Sequence, residues 1–369
     1  MELTIKRDDL YNGLLKTQSM VEKRSTMPIL SNVLLETRND NLRIKATDLE
    51  IGVDTVYPAN VIKDGSLTVP GKKLFEMVKE MEAGELKLLK KEGNHLEVRS
   101  GKAVFNIVGL PAEEYPSFPS YEDRLFFCLS SKVISRMIEK TIYAVSTDEI
   151  RYTLNGIFIE KKDDELRMVA TDGHRLSLMN YKDPSLKDVE IGKGVIIPRK
   201  GAGELKKLIE GSSDDLMVNI TDNNGVFKVG NTLLAIRMIE GDFPDYKQVI
   251  PAKGEREVKV NRELLIKALR RVAVLSSEKS RGVKVSVTKG QLDVFTANPD
   301  IGEASESIDA EFSGEEIVIG FNARYLIETL NSINEETVKI EINDEFGPVK
   351  IGGLKDGGEH ISIVMPMRL

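Results

Sequence analysis

The stretch that begins at Val33, VLLETRNDNLRIKATDLEIGV, returns twice more along the chain. The second copy begins at Ile157, IFIEKKDDELRMVATDGHRLSL; aligning Leu42 with Leu166, or Asp48 with Asp172, gives the same offset of 124. The third, VKVSVTKGQLDVFTANPDIGEA, begins at Val283 and keeps one offset of 250 from the first. Identity is low, yet the register of strand, turn and second strand holds throughout. Such a period means one structural unit used three times, and nothing else in the sequence limits the fold so strongly.

The repeat extends beyond this core. A segment with helical spacing precedes each copy, over 7–24, 131–147 and 261–279. In the second of these, Val133, Ile134, Met137, Ile138 and Ile142 mark one apolar face, and Ser130 or Ser131 supplies an N-cap. A second helix follows each copy, over 72–82, 199–210 and 322–333. Two of these follow a proline, in VPGKK and IPRKG, where a strand hands over to a helix. The remainder, such as HLEVRSGKAVFNIVGL and VKIEINDEFGPVKIGG, alternates like short strands. The expected fold is α+β, with three similar domains in series. Borders in the Pro- and charge-rich FPSYEDRL and PAKGEREV segments give domains 1–122, 123–252 and 253–369.

At 369 residues the chain is too long for one ordinary core, and 41% apolar with 30% charged residues is a folded, soluble composition. No apolar run approaches the ~20 residues of a membrane span, and MELTIKRDDL has no signal-peptide core. The single cysteine, Cys128, excludes an intrachain disulfide and fits a cytoplasmic protein. Its setting, LFFCLS, predicts a small buried apolar side chain.

The net charge of −7 argues against a nucleic-acid partner until it is mapped. The six helical segments sum to +8 and the rest to −15. An acidic body with basic helices binds a polyanion on one face and repels it elsewhere. Zinc-finger cysteines, a long basic region and an aromatic single-strand platform are all lacking, so such contacts go to phosphates and ignore sequence.

Asp172-Gly173-His174-Arg175 has the look of a catalytic site. A metal centre needs more ligands, and His95 and His360 stand far from His174 without ligand spacing. There is no GxSxG elbow, and Gly65–Lys72 misses the phosphate-loop spacing, with Lys73 where Ser or Thr belongs. No cofactor is implied. In the first copy Asp48 and Glu50 occupy the places of Asp172 and His174, so the pair is not carried by the repeat. Gly173 instead permits a tight turn, and His174 and Arg175 can wall a groove with a positive rim. With Leu154 and Leu176 nearby, that groove suits a short peptide with aliphatic anchors and an acid.

LNG, VATDGHRLS, IPRKG, FPDY, LSSEKSRGV, GFN and the terminal VMPMRL occur here in an order that resembles the bacterial DNA polymerase III beta subunits, the sliding clamps. The resemblance covers the whole chain. It implies a head-to-tail homodimer closed into a ring, with helices lining a channel for duplex DNA and strands outside. Such a ring tethers the replicative DNA polymerase, is not itself an enzyme, and is opened by an external clamp loader. The resemblance assigns DNA contact to Arg24, Lys72 and Tyr152, in a loop where Asp148 and Thr153 depart from some members. It assigns a peptide-docking pocket to Arg151, Leu154, Thr171, Gly173, His174, Arg175, Leu176, Pro244, Val249, Ile363, Met365, Pro366, Met367 and Arg368. Gln248, Phe346 and Pro348 are departures at its rim. It places Phe105 against Val274 and Leu275 of the second copy, with Lys73 and Lys102 opposite Asp300, Glu303 or Glu306. Two other readings stand beside it: an enzyme in which Asp172, His174 and Arg175 act on a small anion, and a scaffold that never meets DNA.

Overall fold

The computed structural model describes residues 1–21, 27–118, 126–187, 189, 191–221, 223–251, 254–354 and 359–368. Six α-helices lie among them: α1 (Arg7–Thr17), α2 (Gly71–Glu80), α3 (Ser131–Thr141), α4 (Arg199–Ile209), α5 (Arg262–Val272) and α6 (Ala323–Asn331). Each falls within or beside one expected helical segment. Pro70 and Pro198 end strands, and α2 and α4 start at the next residue, as the handover reading requires. Asn261 and Asn322 cap α5 and α6, accepting from the Leu264 amide (3.1 Å) and the Arg324 amide (2.9 Å).

Three expected helices are shorter than their spacing suggested; α3 gives way to a 3-10 turn, Ile142–Ala144, before the expected end at 147. α1 stops at Thr17, whose hydroxyl donates back to the Leu14 carbonyl (2.7 Å). After α5 the chain tightens into a 3-10 turn, Ala273–Leu275.

The described residues pack as two compact units, Met1–Ile134 with Gly203–Met238, and Ser135–Ala202 with Ile239–Leu369. The division runs through the expected central domain, not at its ends. Leu216–Ile220, Asn224–Val229 and Thr232–Arg237 pair into a sheet of the first unit, whereas Gly156–Lys162, Glu165–Thr171 and Arg175–Lys182 belong to a sheet of the second. The expected borders at 122/123 and 252/253 lie outside the described residues.

The repeat appears as three antiparallel hairpins: Asn41–Thr47 with Ile51–Pro58, Glu165–Thr171 with Arg175–Lys182, and Gln291–Asn298 with Gly302–Glu311. Each packs one face inward. In the third, Leu292 and Val294 join Val283, Val285 and Val287 beneath Leu265 and Leu269 of α5 and Leu326 and Leu330 of α6. Every such leucine, fully buried, contributes roughly 1.5–3 kcal/mol.

Two further strand pairs extend these hairpins. Thr232–Arg237 pairs with Ile51–Pro58, and His360–Val364 pairs with Arg175–Lys182. Two strands leave a stretch of open backbone. Ala103–Val108 is the outermost strand of a five-stranded sheet and exposes Val104, Phe105 and Val108. Gly302–Glu311 pairs along its length with Gln291–Asn298, but on its other side only through Ala310 and Glu311.

Cys128 corrects an expectation. It lies in the edge strand Phe127–Leu129, where alternation turns Leu129 inward and leaves the thiol exposed.

Candidate partner-docking site

Thr171–Arg175 is a turn that its own side chains close. Asp172 Oδ1 accepts the amides of His174 (2.9 Å) and Arg175 (3.0 Å). The Thr171 hydroxyl donates to the Arg175 carbonyl (2.6 Å) and accepts the Gly173 amide (3.1 Å). Gly173 has φ +85°, and a Cβ there would lie 2.5 Å from Arg151 Nη1. The backbone therefore favours glycine, and a side chain there would have to displace the end of the Arg151 guanidinium.

The strand leaving this turn meets the C-terminal strand. The Met365 amide donates to the His174 carbonyl (2.8 Å), and Leu176 lies opposite Ile363. Leu176 and Ile363 are buried in one apolar cluster with Val169, Leu178 and Tyr246, against which Phe158, Phe243 and Ile250 pack. Phe158 and Phe243 stack at 5.0 Å. Pro244 and Val249 are exposed on the segment that supplies Phe243, Tyr246 and Ile250. That segment is pinned where the Tyr246 hydroxyl meets Glu160 and Arg167. Gln248 bonds to Asp245 (2.9 Å) and Phe346 is 70% exposed. Met365, Pro366, Met367 and Pro348 are half-buried, and Arg368 is exposed.

Beside His174 opens a polar pocket of about 380 Å³, lined among others by Tyr143, Asp148, Arg151, Asp172, Arg175, Arg199, Arg324, Tyr325 and Glu328. Arg175 does not form a positive rim. It is 5% exposed, and its guanidinium reaches Asp172 (3.0 Å), Glu328 (2.5 Å) and the Tyr143 carbonyl (2.6 Å). Its Cζ stands 4.7 Å from the Tyr325 ring centre and 5.4 Å from that of Tyr143. Burial pushes the Glu328 carboxyl up, but hydrogen bonds from Arg324 and Arg175 outweigh it and hold that carboxyl below its usual range. At the pocket mouth the Ile150 amide and then Arg151 lower Asp148.

Catalysis by Asp172 and His174 has no geometry here. Both carboxylate oxygens of Asp172 already accept from the turn and from Arg175, while the His174 ring stacks on Tyr325 at 6.0 Å. His360 is buried beside Ser177 (3.0 Å) and Ser362 (3.2 Å). Among the described residues no group of His, Cys, Asp and Glu is arranged to hold a metal.

The other sequence-assigned residues lie elsewhere. Lys72 and Tyr152 are exposed, Lys72 on α2 and Tyr152 on a 3-10 turn that also carries buried Leu154. Arg24 falls outside the described residues. Phe105 sits on the open Ala103–Val108 edge, and Val274 is 76% exposed with half-buried Leu275 beside it. Glu303 is exposed on the Gly302–Glu311 strand, and Lys73 pairs with Glu76 (2.9 Å). Glu306 accepts from Arg271 within the chain.

Sequence reasoning missed Tyr325, Glu328 and Tyr143. The signal was present in GFNARYLIETL, where an aromatic and an acid stand three residues apart on one helix face. Nothing in that spacing, however, names Arg175 as their partner.

Three family models describe this chain end to end: the DNA polymerase III beta subunit N-terminal domain (residues 1–119), central domain (128–245) and C-terminal domain (247–368). Beta sliding clamps from Salmonella typhimurium and Escherichia coli K12 are 35% and 34% identical, each covering 100% of both chains. A sliding clamp from Bartonella birtlesii solved with griselimycin bound has a TM-score of 0.94 at 34% identity, and the Pseudomonas aeruginosa subunit one of 0.95 at 31%, both over 100% of each chain. The chain therefore belongs to the DNA polymerase III beta subunits, the sliding clamps, whose members are non-catalytic processivity subunits of the polymerase.

Proposed function

We propose that two copies of this chain close head to tail into a ring that encircles duplex DNA, slides along it, and holds the replicative polymerase through the site at His174. Each copy supplies three domains, with borders near 122 and 252. One observation carries the docking role: the His360–Val364 strand lies against Arg175–Lys182, joining the VMPMRL end to the ATDGHRL turn. This turn is built over an apolar cluster and has no free catalytic group, which suits a peptide anchor and not a reaction. The clamp loader and other proteins carrying a similar peptide are the further partners of this surface. Griselimycin-bound relatives support ligand capture by clamps of this kind.

Ring closure follows from the open edges. Ala103–Val108 from one copy pairs with the free stretch of Gly302–Glu311 from the other, Phe105 meets Val274 and Leu275, and Lys73 faces Glu303. Such pairing covers edges that would otherwise invite aggregation, and twofold symmetry makes both contacts alike. Arg24, Lys72 and Tyr152 touch phosphates weakly. Each phosphate contact weakens steeply with salt, so retention comes from the closed ring and not from affinity. No helix among the described residues is long and apolar enough to cross a membrane, and we place the ring in the cytoplasm with the chromosome.

The test is retention on DNA during gel filtration, after loading onto nicked circular plasmid with a clamp loader. Protein that stays on the circle at high salt, but leaves after linearisation, is topologically bound. If salt strips it equally from both forms while a control clamp is retained on the circle, the ring reading is wrong.

A further inference from the structure

The same backbone turn exists twice in this chain, and only one copy carries a buried charge. In the first unit Asp48 Oδ1 accepts the amides of Glu50 (3.0 Å) and Ile51 (2.7 Å), and the Thr47 hydroxyl donates to the Ile51 carbonyl (3.0 Å). Ile51 stands there in the place of Arg175. An apolar residue therefore closes this turn, and the fold does not need an arginine to make it. Burying a guanidinium and its partner carboxylates is costly unless every group is satisfied. Here they are satisfied in a continuous chain: Arg324 to Glu328 (2.7 Å), Glu328 to Arg175 (2.5 Å), and Arg175 to Asp172 (3.0 Å).

This chain of charges is aimed at one side chain, Tyr325, near the start of α6. Tyr325 receives the Arg175 guanidinium at 4.7 Å and stacks with the His174 ring at 6.0 Å and 15°. His174 is further fixed through its backbone, with its amide on Asp172 and its carbonyl on the Met365 amide. Lysine could not replace the arginine. Three acceptors lie in different directions, and only the planar fork reaches them together.

We propose that Arg175 and Glu328 are positioning residues of the docking site: they hold the Tyr325 ring against His174 and act on the bound peptide through that pair of rings. This rests on the docking reading above; it gives Arg175, already assigned to the pocket, a supporting role there and adds Glu328 to it.

The test measures binding of a fluorescein-labelled decapeptide with two leucine anchors and one aspartate, by anisotropy, to the full chain. Val249→Asp, on the exposed part of the groove, serves as the control for the docking reading. If that variant binds as tightly as the parent, the docking reading fails by itself. If it loses binding, Glu328→Gln decides the present inference. We expect Glu328→Gln to raise Kd about tenfold, the size of one lost charge-assisted hydrogen bond, and Arg175→Lys to raise it at least as much. In a Tyr325→Ala background Glu328→Gln should then change Kd by less than about twofold, because the ring it positions is gone. Should Arg175→Lys fail to fold, Glu328→Gln and the Tyr325→Ala cycle suffice. The inference is overturned if Glu328→Gln leaves Kd within about twofold of the parent. It is equally overturned if the tenfold loss persists without Tyr325, since Glu328 would then act by another route.

Discussion

The turns at Thr47–Ile51 and Thr171–Arg175 are made alike and finished differently. In both, an aspartate oxygen gathers two amides and a threonine hydroxyl closes back on the fifth residue. In both, an amide of the neighbouring strand meets the fourth residue's carbonyl at 2.8 Å, from Arg237 to Glu50 and from Met365 to His174. The third residue has positive φ in each, +76° at Leu49 and +85° at Gly173. What differs is the set of side chains: Leu49, Glu50, Ile51 and Gly52 against Gly173, His174, Arg175 and Leu176. Phe118 lies over Gly52, within 2.6 Å of where a Cβ would stand, whereas Leu176 fills its own place beside Ile363. A repeated fold supplies the scaffold twice, and a handful of residues makes one copy a site.

Exchanging those residues should break the comparison in order of the charge they disturb. Arg175→Ile, which copies the first turn into the second, leaves Asp172 and Glu328 without their buried partner and should cost about 3–5 kcal/mol in denaturant unfolding. A loss below about 1 kcal/mol would mean that the brace is not what holds this turn.

Acid should act next, through His360. Burial, and then the charge of Lys140 with a smaller part from Arg136, lowers its pKa to about 4, while Ser177 and Ser362 face its ring. The unfolded chain takes up that proton near pH 6.5, so between about 6.5 and 4 the unfolded state binds more protons and stability falls as pH falls. The loss amounts to roughly 3 kcal/mol over that window. His360→Gln should flatten this slope in a series of melting curves, and an unchanged slope would show that His360 is not its source.

The smallest effects concern backbone. Gly173→Ala should cost about 1–2 kcal/mol, because the residue must keep positive φ and displace Arg151. Leu49→Gly should change stability by less than about 0.5 kcal/mol, since relief of its positive φ is offset by the greater freedom of glycine in the unfolded chain. A Gly173→Ala cost as small as that of Leu49→Gly would mean that neither positive φ nor Arg151 demands glycine at this turn.

How much of this was legible follows from which forces are local. The three hairpins, the six helices and the proline handovers are written as period, turn and cap, so the sequence carries them openly. Pairing of His360–Val364 with Arg175–Lys182 is not, because no local pattern names a strand's distant neighbour; only the motif resemblance joined the two segments. Nor was the burial of Arg175 legible. An arginine after a histidine reads as surface, and its partner Glu328 lies on α6, far along the chain. Cys128 misled for a related reason: an apolar neighbourhood in sequence does not say which face of an edge strand a residue takes. The strands of the central repeat join two different sheets, and no local pattern in the sequence says which strand joins which.

The most direct test of the account counts peptides. Calorimetric titration of the full chain with the two-leucine, one-aspartate decapeptide should give one site per chain. That site should disappear in Val249→Asp and survive Phe118→Ala and Leu49→Gly unchanged. Two sites per chain, or one that persists in Val249→Asp and is lost in Leu49→Gly, would show that the first turn docks partners as well, and that the side chains around His174 do not make the site.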